Sequence, residues 1–327
     1  MTKPKNNQPC PCGSGAKFKL CCKRQTSAAT NLAIERRRYA REWASSSSGY
    51  ALDGHYEWMA AQLGEDPGSV LEAGAGSGMA ARALAEAGHA VVAVESNPRC
   101  LGVAEKTLRK AGCLARFVPR PPQTKFRGSS YSVAYSTVAS DVGMPDRGKV
   151  LLIEGDLLAD QQLLSWLIQL TAFDAVTSWN NGTHGARPEL AQLEAWVRLP
   201  GDYRRRMWMA VHVLAESILR RGGLLHIVQR GQRPDGKVSP GILKEMRELG
   251  APAHIETQEE MISWDMVRAQ GEIASRHSSL VVDPDSVKWR AYKERGDMSY
   301  GATQRGQFGD LSSEVVLAFW SLVARKP

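Results

Sequence analysis

Short runs of aliphatic and β-branched residues recur along the chain, and several of them stop at an acidic residue or a glycine. Val70-Leu71 leads into Glu72, Ala90-Val91-Val92-Ala93-Val94 ends at Glu95, and Val150-Leu151-Leu152-Ile153 ends at Glu154-Gly155-Asp156. Phe173–Trp179 and the run Leu224–Val228 behind Gly222-Gly223 repeat the pattern. Runs this short and this continuously apolar read as buried strands. Between them lie helix-like segments: Met79–Ala85, a stretch over 98–111 opened by the Asn97-Pro98 cap and first-turn proline, and Pro188–Arg221 with a break at Pro200-Gly201.

The ends of the chain are less regular. A basic helix is expected over 30–44, starting near Thr30 or Asn31, and Ser45–Gly49 reads as a linker. A helix over 52–63 follows and closes at Gly64. Residues 119–149 hold four prolines and the alternating run Tyr131–Tyr135, which suggests an inserted hairpin over the substrate. Beyond Gly231 a helix over 240–249, a strand near 278–282 and a last apolar strand over 315–323 are expected. The division is therefore 1–26 as a small module, 27–49 as basic helix and linker, and 50–327 as the main domain.

The chemistry concentrates where the first strand ends. Glu72-Ala73-Gly74-Ala75-Gly76-Ser77-Gly78 places glycines at alternate positions before a strong helix former. Glycine lets the backbone turn sharply and lie against a ligand, and the free amides of the following helix start face the crevice. Met79 breaks the Gly-x-Gly-x-x-Gly dinucleotide spacing, and no Gly-Lys-Ser/Thr follows for a phosphate loop. Any tight strand-to-helix turn uses glycine, so the turn alone leaves an ordinary connection open. Glu95, 21 positions after Gly74, adds an acidic second-strand end that can accept both hydroxyls of a ribose.

Together these residues resemble motif I and the second-strand acid of class I S-adenosylmethionine (SAM) methyltransferases. The resemblance implies an α/β fold, a Rossmann-like doubly wound seven-stranded sheet ending in an antiparallel hairpin. It also implies a SAM site built from Glu72, Gly74, Gly76, Gly78, Glu95, Asp156, Ser178 and Trp179, with Asp156 at the position that accepts from the adenine amino group. Tyr50 or Tyr56 is a candidate to cover the cofactor, although core packing is the plainer role for both.

The acceptor side of that family follows the fourth strand, which here continues Asn180-Asn181-Gly182-Thr183-His184. His184 is a candidate general base, and Asn180 and Asn181 are candidates to orient an amide or amine; a simple Asn-Asn-Gly turn is the competing reading. The Asp/Asn-Pro-Pro-aromatic motif of exocyclic amine methylases is absent, and both Pro-Cys pairs lie at the N-terminus, which disfavours DNA base methylation. The expected function is SAM-dependent methyl transfer to an unidentified acceptor. The alternative is a non-catalytic SAM-binding or adaptor protein.

Cysteine and charge mark the N-terminus as separate chemistry. Cys10, Cys12, Cys21 and Cys22 form two pairs around a Gly13-Ser14-Gly15 turn, close enough for four thiolates to surround one Zn²⁺. The segment resembles the SEC-C zinc-binding motif, which implies a structural metal and a docking role toward a protein or ribosomal partner. Residues 1–45 carry ten Lys/Arg against Glu35 and Glu42, which accounts for the whole net charge of +8. That balance suits an acidic or RNA partner, and equally a solvated basic face. No apolar run is long enough for a bilayer, so a cytoplasmic chain without membrane association is expected. With a serine linker between them, the metal module and the SAM site are expected to be independent.

Overall fold

The computed structural model describes residues 5–10, 14–66, 68–170, 173–232, 280–292 and 317–327. The elements run α1 (Cys22–Leu52), α2 (His55–Ala61), β1 (Ser69–Ala73), α3 (Met79–Glu86), β2 (Ala90–Glu95), α4 (Pro98–Lys110), β3 (Ala115–Val118), β4 (Gln123–Arg127), β5 (Ser130–Ala134), β6 (Val150–Glu154), α5 (Gln161–Gln169), β7 (Phe173–Trp179), α6 (Pro200–Ile218), β8 (Leu219–Gln232), β9 (Val281–Ala291) and β10 (Leu317–Arg325). The helix expected over 240–249 lies outside the described residues.

Eight of the strands form one sheet in the order β3-β6-β2-β1-β7-β8-β10-β9. From β3 to β8 the neighbours are parallel, and β10 runs antiparallel between β8 and β9. Seven strands in this order are the Rossmann-like methyltransferase arrangement with its closing hairpin. β3 is an eighth, added at the edge beside β6. It escapes sequence reading because Ala115 and Arg116 are exposed, so the apolar signature of a doubly buried strand is missing.

The central strands bury both faces, which explains their unbroken apolar runs. Leu71, Val92, Val94, Leu151 and Ile153 point into one core with α5 and α6. Val70, Val91, Ala93, Val150 and Leu152 point into the other, with α2, α3 and α4. Asn97 caps α4 by accepting from the Arg99 amide at 3.0 Å, as its sequence predicts.

Two expectations are overturned near the N-terminus and before α6. Residues 45–49 are not a linker: α1 is one helix of 31 residues. Its serines satisfy themselves inside the helix, Ser46 and Ser48 donating to the carbonyls of Glu42 and Ala44. Ser47 is fully buried, its hydroxyl 2.6 Å from that of Ser77 in the glycine turn. The small side chains let helix and turn approach closely. Of Pro188–Arg221 the α-helix takes only Pro200–Ile218; a single 3-10 turn at Arg187–Glu189 and an irregular segment precede it, tied to α6 by a buried Glu194–Arg206 pair at 2.6 Å. Gly222-Gly223 lies inside β8, which begins at Leu219, before the double glycine.

The β4–β5 hairpin exists, yet it faces α1 and not the crevice. Tyr131 and Val133 pack with Leu32, Ala186 and Leu190, and no residue of 119–149 lines the crevice described below. Among the described residues, no helix is long and apolar enough to cross a membrane.

Candidate functional site

The sheet order reverses between β1 and β7, and the crevice opens at the carboxyl ends of the strands there, where open α/β sheets bind ligands. Its lining includes Gly74, Gly76, Glu95, Asp156, Trp179 and Asn180–His184. The glycine turn is left-handed at all three glycines, φ +94° at Gly74, +54° at Gly76 and +80° at Gly78. A side chain at Gly74 would collide with Asn181 and one at Gly76 with Trp43.

Glu95 braces this turn. Its carboxylate accepts from the Gly76 amide at 2.8 Å and from the Asn97 amide at 2.7 Å. Burial pushes its pKa up to about 7 against the pull of those N–H groups. Glu72 lies deeper on β1, near Tyr56 and Glu95, and does not line the crevice; neither carboxylate oxygen has a hydrogen-bond partner. Burial, then the Glu95 charge, raises its pKa to about 8. Gly78 and Ser178 also stand behind the lining, Ser178 accepting from the Asn181 amide group at 2.6 Å.

Asp156 occupies the expected position with an unexpected partner. Arg187 grips it bidentately at 2.6 and 2.8 Å, and the Leu158 amide adds a bond at 2.9 Å. Burial pushes the Asp156 pKa up, but the Arg187 charge and hydrogen bonds outweigh it and hold it below the usual carboxylate value. The adenine contact implied by the resemblance is thus left to one remaining lone pair of Oδ2 and to neighbouring backbone. The Arg187 guanidinium also lies 5.4 Å over the Tyr203 ring.

The segment after β7 carries the features of a strained, unsatisfied site. Asn180 adopts φ +53°, rare outside glycine, and both polar atoms of its buried carboxamide lack partners. His184 is buried with Nδ1 unpartnered; burial, then the charges of Arg187 and Arg36, lowers its pKa to about 3. It is a neutral imidazole at physiological pH and can accept a hydrogen bond from an N–H or O–H. Trp179 donates from Nε1 to His226 Nδ1 at 3.0 Å, and His226 also meets Ser321 at 2.7 Å, which leaves His226 a packed core residue.

Tyr39 and Trp43 of α1, with Tyr203 and Met207 of α6, complete the crevice. Sequence reading missed all four. Tyr50 and Tyr56 are buried away from it, Tyr50 edge-on to Phe319 and Tyr292. The i, i+4 aromatic pair Tyr39/Trp43 on a helix before the first strand was the available signal. A cavity of about 500 Å³ adjoins the crevice and shares Tyr39, Thr183, His184 and Tyr203 with it. That volume suits a small organic ligand.

At the N-terminus, residues 8–10 lie against residues 16–18, with Cys10 N–H donating to the Ala16 carbonyl and Phe18 N–H to that of Gln8, both at 2.8 Å. The thiols of Cys10, Cys21 and Cys22 converge within 4.8 Å of one another. Ser14 donates to Cys21 Sγ at 3.1 Å, the kind of bond that orients a thiolate ligand. Cys12 lies outside the described residues. Three converging sulfurs fit a tetrahedral zinc, whose Zn–S bonds of about 2.3 Å set S···S near 3.8 Å.

The SEC-C motif family matches residues 7–24. No curated protein sequence matches the chain. A TehB-like SAM-dependent methyltransferase from Corynebacterium glutamicum is similar in structure, with TM-score 0.39 and 13% identity over 89% of this chain and 99% of that one. Precorrin-6y C5,15-methyltransferase from Geobacter metallireducens is similar at TM-score 0.38 and 13% identity, covering 84% and 89%. The [4+2]-cyclase SpnF is similar at TM-score 0.38 and 14% identity, covering 83% and 79%. At these values the likenesses add nothing to the strand order itself. The chain carries a SEC-C motif at residues 7–24 ahead of an α/β domain with the Rossmann-like sheet of the class I methyltransferase fold.

Proposed function

We propose that the chain is a SAM-dependent methyltransferase whose methyl acceptor occupies the cavity beside the crevice. One observation carries the reading: the glycine turn, the buried Glu95 carboxylate and the strained, unsatisfied Asn180 meet in one crevice at the sheet's switch point. SAM brings its own leaving group, so the protein's work is positioning and exclusion of water. Glu95 would hold the ribose, the turn the methionine end, and Trp179 the adenine side. Asn180 and the neutral His184 would accept hydrogen bonds from the acceptor's N–H or O–H and aim its lone pair at the methyl group. With its pKa near 3, His184 orients better than it abstracts a proton.

The N-terminal module would hold one structural zinc on Cys10, Cys12, Cys21 and Cys22. Its basic surroundings, continued by the exposed Arg37 and Arg41 of α1, would dock a protein or RNA partner. The test of the central claim is transfer of label from methyl-labelled SAM to a component of a cell extract by the purified chain. Labelling lost in Asn180→Ala, with SAM binding kept, supports the enzyme. SAM binding without any labelled product supports the non-catalytic alternative.

A further inference from the structure

The metal module and the cofactor crevice share one helix. α1 begins at Cys22, a thiol of the module, and runs unbroken to Leu52. About 26 Å along it, from the 1.5 Å rise per residue, Tyr39 and Trp43 close over the crevice. The roof is tied down by the Ser47–Ser77 contact at 2.6 Å and by Asn97 donating to the Arg36 carbonyl at 3.1 Å. The Arg230 guanidinium lies 5.9 Å from the Trp43 ring on the same side.

The roof is too low for a cofactor. The crevice encloses about 40 Å³, whereas organic ligands occupy sites of roughly 300–1,000 Å³. The glycine turn and the strand ends are built into the central sheet. Two helices wall the crevice from outside the sheet: α6 is set in the core through Tyr203, Met207, Val211 and Leu214, so α1 is the part that yields.

The outer half of α1 has little of its own to hold it. Among its described side chains before Glu35, only Ala28 and Leu32 are buried, Leu32 against the β4–β5 hairpin and the Ala186–Leu190 turn. Its first turns hold Ser27 and Thr30, weak helix formers. Within 5–10 and 14–21 the one buried side chain is Cys10, itself a thiol of the metal site. A segment with no core takes its folding free energy from the metal. Metal held by Cys21 and Cys22 then anchors the start of α1.

We propose that α1 is a roof displaced and re-closed by the cofactor, and that the metal-held module fixes its outer end, so that zinc and SAM bind with positive coupling. The proposal rests on reading the crevice as a SAM site. Without metal the outer turns of α1 fray, and closing the roof over a ligand must also order them, which weakens binding. By reciprocity, bound cofactor raises zinc affinity by the same factor. A partner that grips the module would act on the crevice through the same lever.

The experiment titrates the full zinc-loaded chain and the same chain stripped by a chelator with SAM by calorimetry. A second arm follows zinc release to a chromophoric chelator with and without SAM. The expected result is binding about tenfold weaker in the stripped chain, within the usual range of coupled sites, restored by added zinc, with SAM retarding zinc release. Cys10→Ser should reproduce the stripped behaviour; if that variant fails to fold, the zinc-release arm on the unaltered chain decides. Equal SAM affinity in loaded and stripped chains, or zinc release indifferent to SAM, overturns the coupling. Absence of SAM binding by the zinc-loaded chain overturns the cofactor reading instead, and the coupling with it.

Discussion

Replacing Arg187 by alanine would strip the partner from a carboxylate that the fold buries beside the crevice. Asp156 and Arg187 are each about 3% exposed, and the pair is bidentate at 2.6 and 2.8 Å. In Arg187→Ala only the Leu158 amide and the charge of Arg36 would still favour the carboxylate. Removing one partner of a buried pair costs roughly 3–5 kcal/mol, a large share of the roughly 5–15 kcal/mol by which domains are stable. Asp156 has a lowered pKa in the native protein, so its stabilisation is present above the unfolded carboxylate value and is lost as pH falls through the folded one. The variant inverts this: its uncompensated Asp156 is relieved by protonation, so its deficit against the parent should shrink from pH 7 to pH 5. Urea denaturation at both pH values measures the deficit. The double variant Arg187→Met/Asp156→Leu should recover most of it, because an apolar pair of similar size avoids burying charge. A single variant that loses less than about 1 kcal/mol, or a double variant no better than the single, would refute the reasoning.

Further outcomes follow from other residues. Glu72 has a raised folded pKa, so the native chain binds more protons than the unfolded one between about pH 4.5 and 8 and loses stability as pH rises through that window; Glu72→Gln should melt higher than the parent at pH 8, with the gap closing below pH 5. Gly78→Ala should cost about 1–3 kcal/mol in denaturation, because φ is +80° and the new methyl would lie 2.9 Å from the Ala104 Cα. Elemental analysis should give one zinc per chain, with all-sulfur coordination at Zn–S near 2.3 Å by X-ray absorption, and Cys100→Ser should leave that content unchanged.

The sheet was legible because its central strands are buried on both faces, so Val70-Leu71, Ala90–Val94 and Val150–Ile153 announce themselves without any long-range information. The glycine turn was legible for a local reason too: only glycine takes its φ values at no cost. The errors share a different cause. Ser45–Gly49 has linker composition, yet Ser47 meets Ser77, thirty residues away, and small side chains serve close packing of helix on turn. Asp156 sits where a cofactor acid was expected, but Arg187, 31 residues on, sets what it can bind. Tyr39 and Trp43 became site residues only because α1 crosses the crevice. In each of these three the deciding contact is tertiary, although the Tyr39/Trp43 spacing itself falls within one window of α1.

The most direct measurement is a calorimetric titration of the zinc-loaded chain with SAM beside its Glu95→Ala variant. The expected result is binding by the parent with one site per chain and a loss of roughly 2–4 kcal/mol in the variant, as a ribose loses two hydrogen bonds to a carboxylate. That is about 30- to 1,000-fold in Kd. Parent and variant binding SAM with equal affinity, or a well-folded parent binding none, would contradict the assignment of the crevice.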